Sequence, residues 1–103
     1  MVETAVSDNP ARHRYEIAAD GELAGFTVYE LRPDVIALMH TEIGDEFGGR
    51  GLGSILVRCT LDDVRSRGLG VLPYCPFVRS WLERHEDYVD LVPAAQRAQF
   101  GLA

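Results

Sequence analysis

Residues 46–57 read EFGGRGLGSILV: four glycines fall within the six positions 48–53, and an apolar run of helical pattern follows at once. Glycine is used where the backbone adopts a positive φ or must come close to something. From Gly51 to Arg67 the apolar residues recur at helical spacing. Leu52, Ile55, Leu56 and Cys59 share one face with Val57, Leu61 and Val64 beside them, and Ser54, Arg58, Asp62 and Arg65 form a polar stripe. Gly68 and Gly70 bracket the expected stop. The glycines therefore open a helix, where several N–H groups lack partners and the helix dipole is positive. A phosphate or pyrophosphate suits such a turn.

The residues before the turn read as strands. RYEIAAD (14–20) and GELAGFTVYEL (21–31) meet at Asp20-Gly21, a dipeptide suited to a tight hairpin. A second turn at Arg32-Pro33-Asp34 leads into VIALMHTEI (35–43), apolar on both faces for most of its length and so expected to be central. Residues 1–11 show no sustained period and are expected to form a flexible arm, leaving 12–103 as a single small domain. After the helix, VLPYCPF predicts a fourth strand. Its Pro73 cannot donate a ladder bond, so the strand is an edge or parts from its neighbour there. FVRSWLERH predicts a second helix with Phe77, Trp81 and His85 in one stripe. YVDLV (88–92) reads as a further strand or a docked loop, and the tail beyond Pro93 as weakly helical.

With 103 residues there is room for one core. No run approaches the roughly 20 apolar residues of a membrane span, and no basic-then-apolar leader opens the chain, so the expected setting is the cytoplasm, with no membrane partner. Two cysteines, Cys59 and Cys75, suit free thiols better than a disulfide framework. The net charge of −6 argues against nucleic acid. His40, Glu42, Cys75 and His85 match no compact ligand spacing, so no metal is expected.

The turn fits neither common nucleotide loop. Gly53 is not followed by Lys, as a Walker loop requires, and three antiparallel strands rather than a βαβ unit precede it. Gly-Arg-Gly-Leu-Gly-Ser (49–54) resembles the pyrophosphate loop of the GCN5-related N-acetyltransferases, Arg/Gln-x-x-Gly-x-Gly/Ala, with Gly51 and Gly53 at the two glycine positions. Gly48 stands where Arg or Gln is usual. MHTEI, GRGLGS, RGLGVLPYCPFV and WLERHEDYVDLV, in this order, are similar to the small members called the YjdJ type, over about Tyr15 to Val92. Glu86 replaces a usual Pro in the last of these segments. The resemblance implies an α+β acyl-CoA N-acyltransferase fold: a mostly antiparallel sheet, helices on both faces, and a splayed strand pair. It implies acetyl-CoA in the gap between strands 35–43 and 70–75, gripped by Gly48, Gly49, Arg50, Gly51, Leu52, Gly53 and Ser54. It also implies an amine acceptor, a small molecule or a protein lysine. The residues leave the oligomeric state open and are compatible with a monomer.

Acetyl transfer to an amine needs a base, oxyanion donors and an acid for the leaving thiolate. Strict alternation puts Ile36, Leu38, His40 and Glu42 on one face of the strand, unless a bulge breaks the parity. His40 is the candidate base on titration grounds, and Glu42 is the second. Cys75, just before a helix, is a carrier of the acetyl group, a proton donor to the CoA thiolate, or an apolar wall; beside His40 it would form a Cys-His pair. Tyr74 and Tyr88 are alternative proton donors. Cys59, Phe77 and Trp81 are expected in the core, and His85 at a helix end. The competing reading is a CoA-binding sensor or interaction module without turnover.

Overall fold

The computed structural model describes residues 3–102. Five strands, β1 (Thr4–Asn9), β2 (Arg14–Ala19), β3 (Glu22–Leu31), β4 (Val35–Ile43) and β5 (Gly70–Pro73), form one sheet in sequence order, with α1 (Leu52–Ser66) between β4 and β5 and α2 (Pro76–Glu83) after β5. Every neighbouring pair is antiparallel except β4–β5, which is parallel and needs the α1 crossover to connect it. Asp20 and Gly21 both take positive φ, 50° and 84°, as a two-residue hairpin turn requires. No helix among the described residues is long and apolar enough to cross a membrane.

The expected arm over 1–11 is corrected. Residues 4–9 form an edge strand, in register from Thr4↔Ala19 to Asn9↔Arg14, while Met1 and Val2 lie outside the described residues. Its period is hidden because an inward position holds a polar residue. Asp8 accepts a hydrogen bond from Tyr29 Oη at 2.7 Å and lies 3.5 Å from the Arg67 guanidinium.

The face of α1 is rotated from the expected one. Leu52, Gly53, Leu56, Val57, Thr60, Leu61 and Val64 are buried, whereas Ile55 and Cys59 are exposed. The polar stripe is a docking line. Ser54 Oγ accepts from Trp81 Nε1 at 2.9 Å, Tyr88 Oη donates to Asp62 at 2.8 Å, and Arg65 makes two bonds to the Asp90 carboxylate at 2.9 and 3.0 Å. The two α-helices thus pack side by side. Tyr15, paired with Thr27, bonds Asp63 of α1, so α1 covers the face that carries Tyr15, Thr27 and Leu38. On the opposite face, at β5, lie the short turns of the C-terminal segment: a side chain at Gly70 would meet the Leu91 carbonyl and Pro93. The segment 88–92, read as a strand or a docked loop, falls in a 3-10 stretch, Glu86–Leu91, and the tail forms two more such turns that bring Phe100 to 5.3 Å from the Tyr74 ring.

Candidate active site

The β4–β5 ladder runs from Val35↔Gly70 to Leu38↔Pro73 and stops, with the Cys75 N–H to Leu38 carbonyl bond, 2.8 Å, as its last link. Pro73 has no N–H with which to continue. Among the described residues, 39–43 of β4 have β3 as their only strand partner, so a gap opens beside them. At the same point β4 carries a bulge: Tyr29 faces Leu38 and Val28 faces His40, leaving Met39 as the extra residue.

This bulge corrects the expected alternation. Thr41, opposite Thr27, shares the face of Leu38; His40 and Glu42 lie on the other face. There His40 Nε2 and Glu42 Oε1 stand 3.5 Å apart, with side chains 59% and 61% exposed. The structure does not bring His40 to Cys75, and no Cys-His pair forms. Beside Glu42 a cavity of about 370 Å³ is lined by Leu23, Phe26, Ile43 and Asp45 among others.

Cys75 is buried in the mouth of the gap, at the N-cap of α2. Its thiol donates to Thr41 Oγ1 at 3.3 Å, and Thr41 Oγ1 lies 2.8 Å from Thr27 Oγ1. Sequence reasoning missed both threonines. The bulge reverses the parity that strict alternation assigns, and only a buried hydroxyl on the facing strand hints at the pairing. Cys59, expected in the core, is the exposed thiol; desolvation and then Asp62 raise its pKa, against Arg58. Tyr88 is committed to α1, its phenol pKa raised by its hydrogen bond to Asp62. Tyr74 is 38% exposed and borders the gap. His85, just beyond the end of α2, stacks on Trp81 with ring centroids 3.7 Å apart and holds the Trp81 carbonyl through Nδ1.

The glycine turn follows β4. Gly49 and Gly51 have φ of 77° and 72°, and a side chain at either would meet open space, so the left-handed backbone alone selects glycine there. Gly48 is different: its φ is ordinary and its N–H is bonded to Asp45. The N–H groups of 49–54 find no backbone acceptor among the described residues, and Gly51 caps α1 without a side-chain bond. Gly53 is set by packing, since a Cβ there would come within 2.7 Å of the Phe77 ring. That ring, expected in the core, is 42% exposed and seals the space between the starts of α1 and α2. Leu52 is buried under the turn, Ser54 bonds Trp81, and the Arg50 guanidinium lies 5.6 Å over Phe47 at the turn's edge. An anion of pyrophosphate size can sit on these amides with its remainder directed into the gap.

The family described as GCN5-related N-acetyl-transferase matches residues 14–91. Several solved structures share the fold. A GCN5-like protein of Staphylococcus aureus, determined in solution, is 22% identical with a TM-score of 0.66, over 86% of this chain and 87% of that one. A ribosomal-protein-alanine N-acetyltransferase of Brucella melitensis biovar Abortus 2308 is 18% identical with a TM-score of 0.56, over 79% of this chain and 61% of that one. None of the curated proteins matches.

Proposed function

The chain belongs to the GCN5-related N-acetyltransferase family, and from that premise we propose that it is a small, YjdJ-type enzyme that moves the acetyl group of acetyl-CoA to an amine. The observation that carries this reading is the presence of three features around the open half of β4. Unpaired amides open α1, a sheet gap begins at Leu38↔Pro73, and a thiol stands in the mouth of that gap.

In this reading the amides of 49–54 hold the pyrophosphate, with Arg50 beside it, and the pantetheine arm replaces the missing β5 partner along 39–43. The thioester then reaches Cys75. The gap is a slot through the sheet, so its two sides have different work. The Thr41–Cys75 side is the face that α1 covers, with Cys75 buried and Thr41 half-buried. The His40–Glu42 side is open, and the acceptor enters there. His40 takes the amine's proton, and Glu42 stabilises the resulting imidazolium. The cavity bounded by Glu42, Asp45 and Phe26 receives the body of the amine, a small molecule or a protein lysine; two carboxylates suit a cation. We place this work in the cytoplasm, where both cysteines remain free thiols.

Acetyl-CoA should raise the melting temperature, with about 2.7 kcal/mol of added stability at a hundredfold excess over Kd. Gly51→Val should remove that shift by forcing a β-branched residue into a left-handed turn. No shift at millimolar acetyl-CoA would sink the reading. A shift without acceptor-dependent release of CoA, tested with polyamines and lysine peptides, would make the protein a CoA-binding module.

A further inference from the structure

The covered side of the gap contains a chain of three polar side chains. Thr27, fully buried on the interior strand β3, lies 2.8 Å from Thr41, which accepts from the Cys75 thiol at 3.3 Å. Thr41 is the side-chain partner that Cys75 has among the described residues, because the bulge sends His40 and Glu42 to the far face. It also stands on the half of β4 that borders the gap. We propose that Thr41 is the proton shuttle of a thioester exchange between acetyl-CoA and Cys75, and that Thr27 holds it in the shuttling orientation. This rests on the reading that acetyl-CoA occupies the gap.

The step balances without any further reactant. Cys75 Sγ forms a bond to the acetyl carbonyl carbon, and the bond from that carbon to the CoA sulfur breaks. The Cys75 proton passes to Thr41 Oγ1 as Thr41's own proton passes to the departing CoA sulfur. Thr41 ends neutral, one thioester replaces another, and nothing is oxidised or reduced. A hydroxyl oxygen has two lone pairs and one hydrogen. In the proposed arrangement Thr27 donates to Thr41, which uses one lone pair; the second is aimed at the thiol, and the hydrogen is left to point into the gap. Thr27 is thus a positioning residue: it fixes which way Thr41's hydrogen turns. Neither hydroxyl needs a shifted pKa, since the proton entering Thr41 and the one leaving it move together.

The test is a time course of intact mass on the full chain with acetyl-CoA and no acceptor, after thermal shift has measured acetyl-CoA binding for each variant. Wild type should gain one acetyl group on Cys75 and release an equal amount of CoA. Thr41→Val should bind acetyl-CoA normally and acetylate about 100-fold more slowly, the size of a lost proton-transfer group. Thr41→Ser should restore at least about a third of the rate, and Thr27→Val should lose about tenfold, as expected for a displaced rather than absent shuttle. A purely packing role gives the opposite order, because Val keeps the shape of Thr and Ser drops a methyl group. Should Thr41→Val not fold, Thr41→Ala carries the same expectation. Acetylation of Thr41→Val at the wild-type rate overturns the shuttle. Wild type that binds acetyl-CoA but never acetylates Cys75 overturns the shuttle and leaves acetyl transfer intact; wild type that does not bind acetyl-CoA overturns both.

Discussion

The two halves of β4 belong to one continuous strand and live in different surroundings. Residues 35–38 are paired on both sides, and Ile36, Ala37 and Leu38 have no exposed surface. Residues 39–43 keep one partner, and Met39 is 42% exposed. Two independent devices meet at the rung where the halves join: an extra residue in β4 and a proline across from Leu38 in β5. The proline ends the ladder on one side. The bulge turns Thr41 toward Cys75 on the other. Stability is concentrated in the first half and the proposed chemistry in the second, and a single rung divides them.

The most severe way to break this contrast is to cut equal amounts of side chain from each half. Ile36→Ala leaves a cavity under α1 and should cost about 3 kcal/mol, within the range for large-to-small core changes. Met39→Ala should change stability by no more than about 0.5 kcal/mol, as at other exposed sites. Urea denaturation of the two variants measures both. Equal losses would mean that the second half is packed as tightly as the first and that no gap separates β4 from its neighbour.

The second test moves to the turn into which the open half leads, where Gly51 and Gly53 look alike in sequence and differ in cause. Gly51→Ala forces a Cβ into a left-handed backbone and should cost about 1 kcal/mol with no clash. Gly53→Ala carries no backbone strain, and the half-exposed Phe77 ring can swing aside, so its stability cost should be smaller. Its signature should be altered Phe77 packing, read from the ring resonances by NMR. An unmoved Phe77 ring in Gly53→Ala would remove the packing explanation for that glycine.

Much of this was legible from the residues alone. The hairpin at Asp20-Gly21, the helix after Gly51, the parting of strands at Pro73 and the free amides of the turn all follow from local rules about glycine, proline and period. The family resemblance supplied the gap. What escaped has a common origin in long-range contacts. β1 was hidden because Asp8 faces inward to a tyrosine and an arginine distant in sequence. The polar stripe of α1 gave no sign of its docking role, because its partners, Trp81, Tyr88 and Asp90, come much later in the chain. The surroundings of Cys75 were misdrawn by one residue of register at Met39, which puts Thr41 rather than His40 beside it.

The smallest expected effect concerns what holds the far wall of the gap. Cys75 and α2 continue into residues 81–90, which are tied to α1 partly by the Arg65–Asp90 pair, a fork at 2.9 and 3.0 Å with both side chains substantially exposed. Its hydrogen bond to Arg65 holds the Asp90 carboxyl below the usual carboxylate range, against a weaker opposing effect of desolvation. A depressed folded-state pKa contributes stability that is present above the unfolded value, near about 3.9, and is lost as pH falls through the lower folded one. The pair's share should therefore be intact at neutrality and vanish in acid. Because the groups are exposed, that share is a few tenths of a kcal/mol, as for other surface pairs. Asp90→Asn should differ from wild type by that amount at pH 7, and the difference should shrink toward zero as the pH falls below about 4. The single tryptophan, Trp81, lies within the tethered segment and reports it directly. Its fluorescence should respond to Asp90→Asn at pH 7 while circular dichroism of the sheet does not. A variant whose deficit stays constant down to acid pH would show that Asp90 holds the wall by packing rather than by charge.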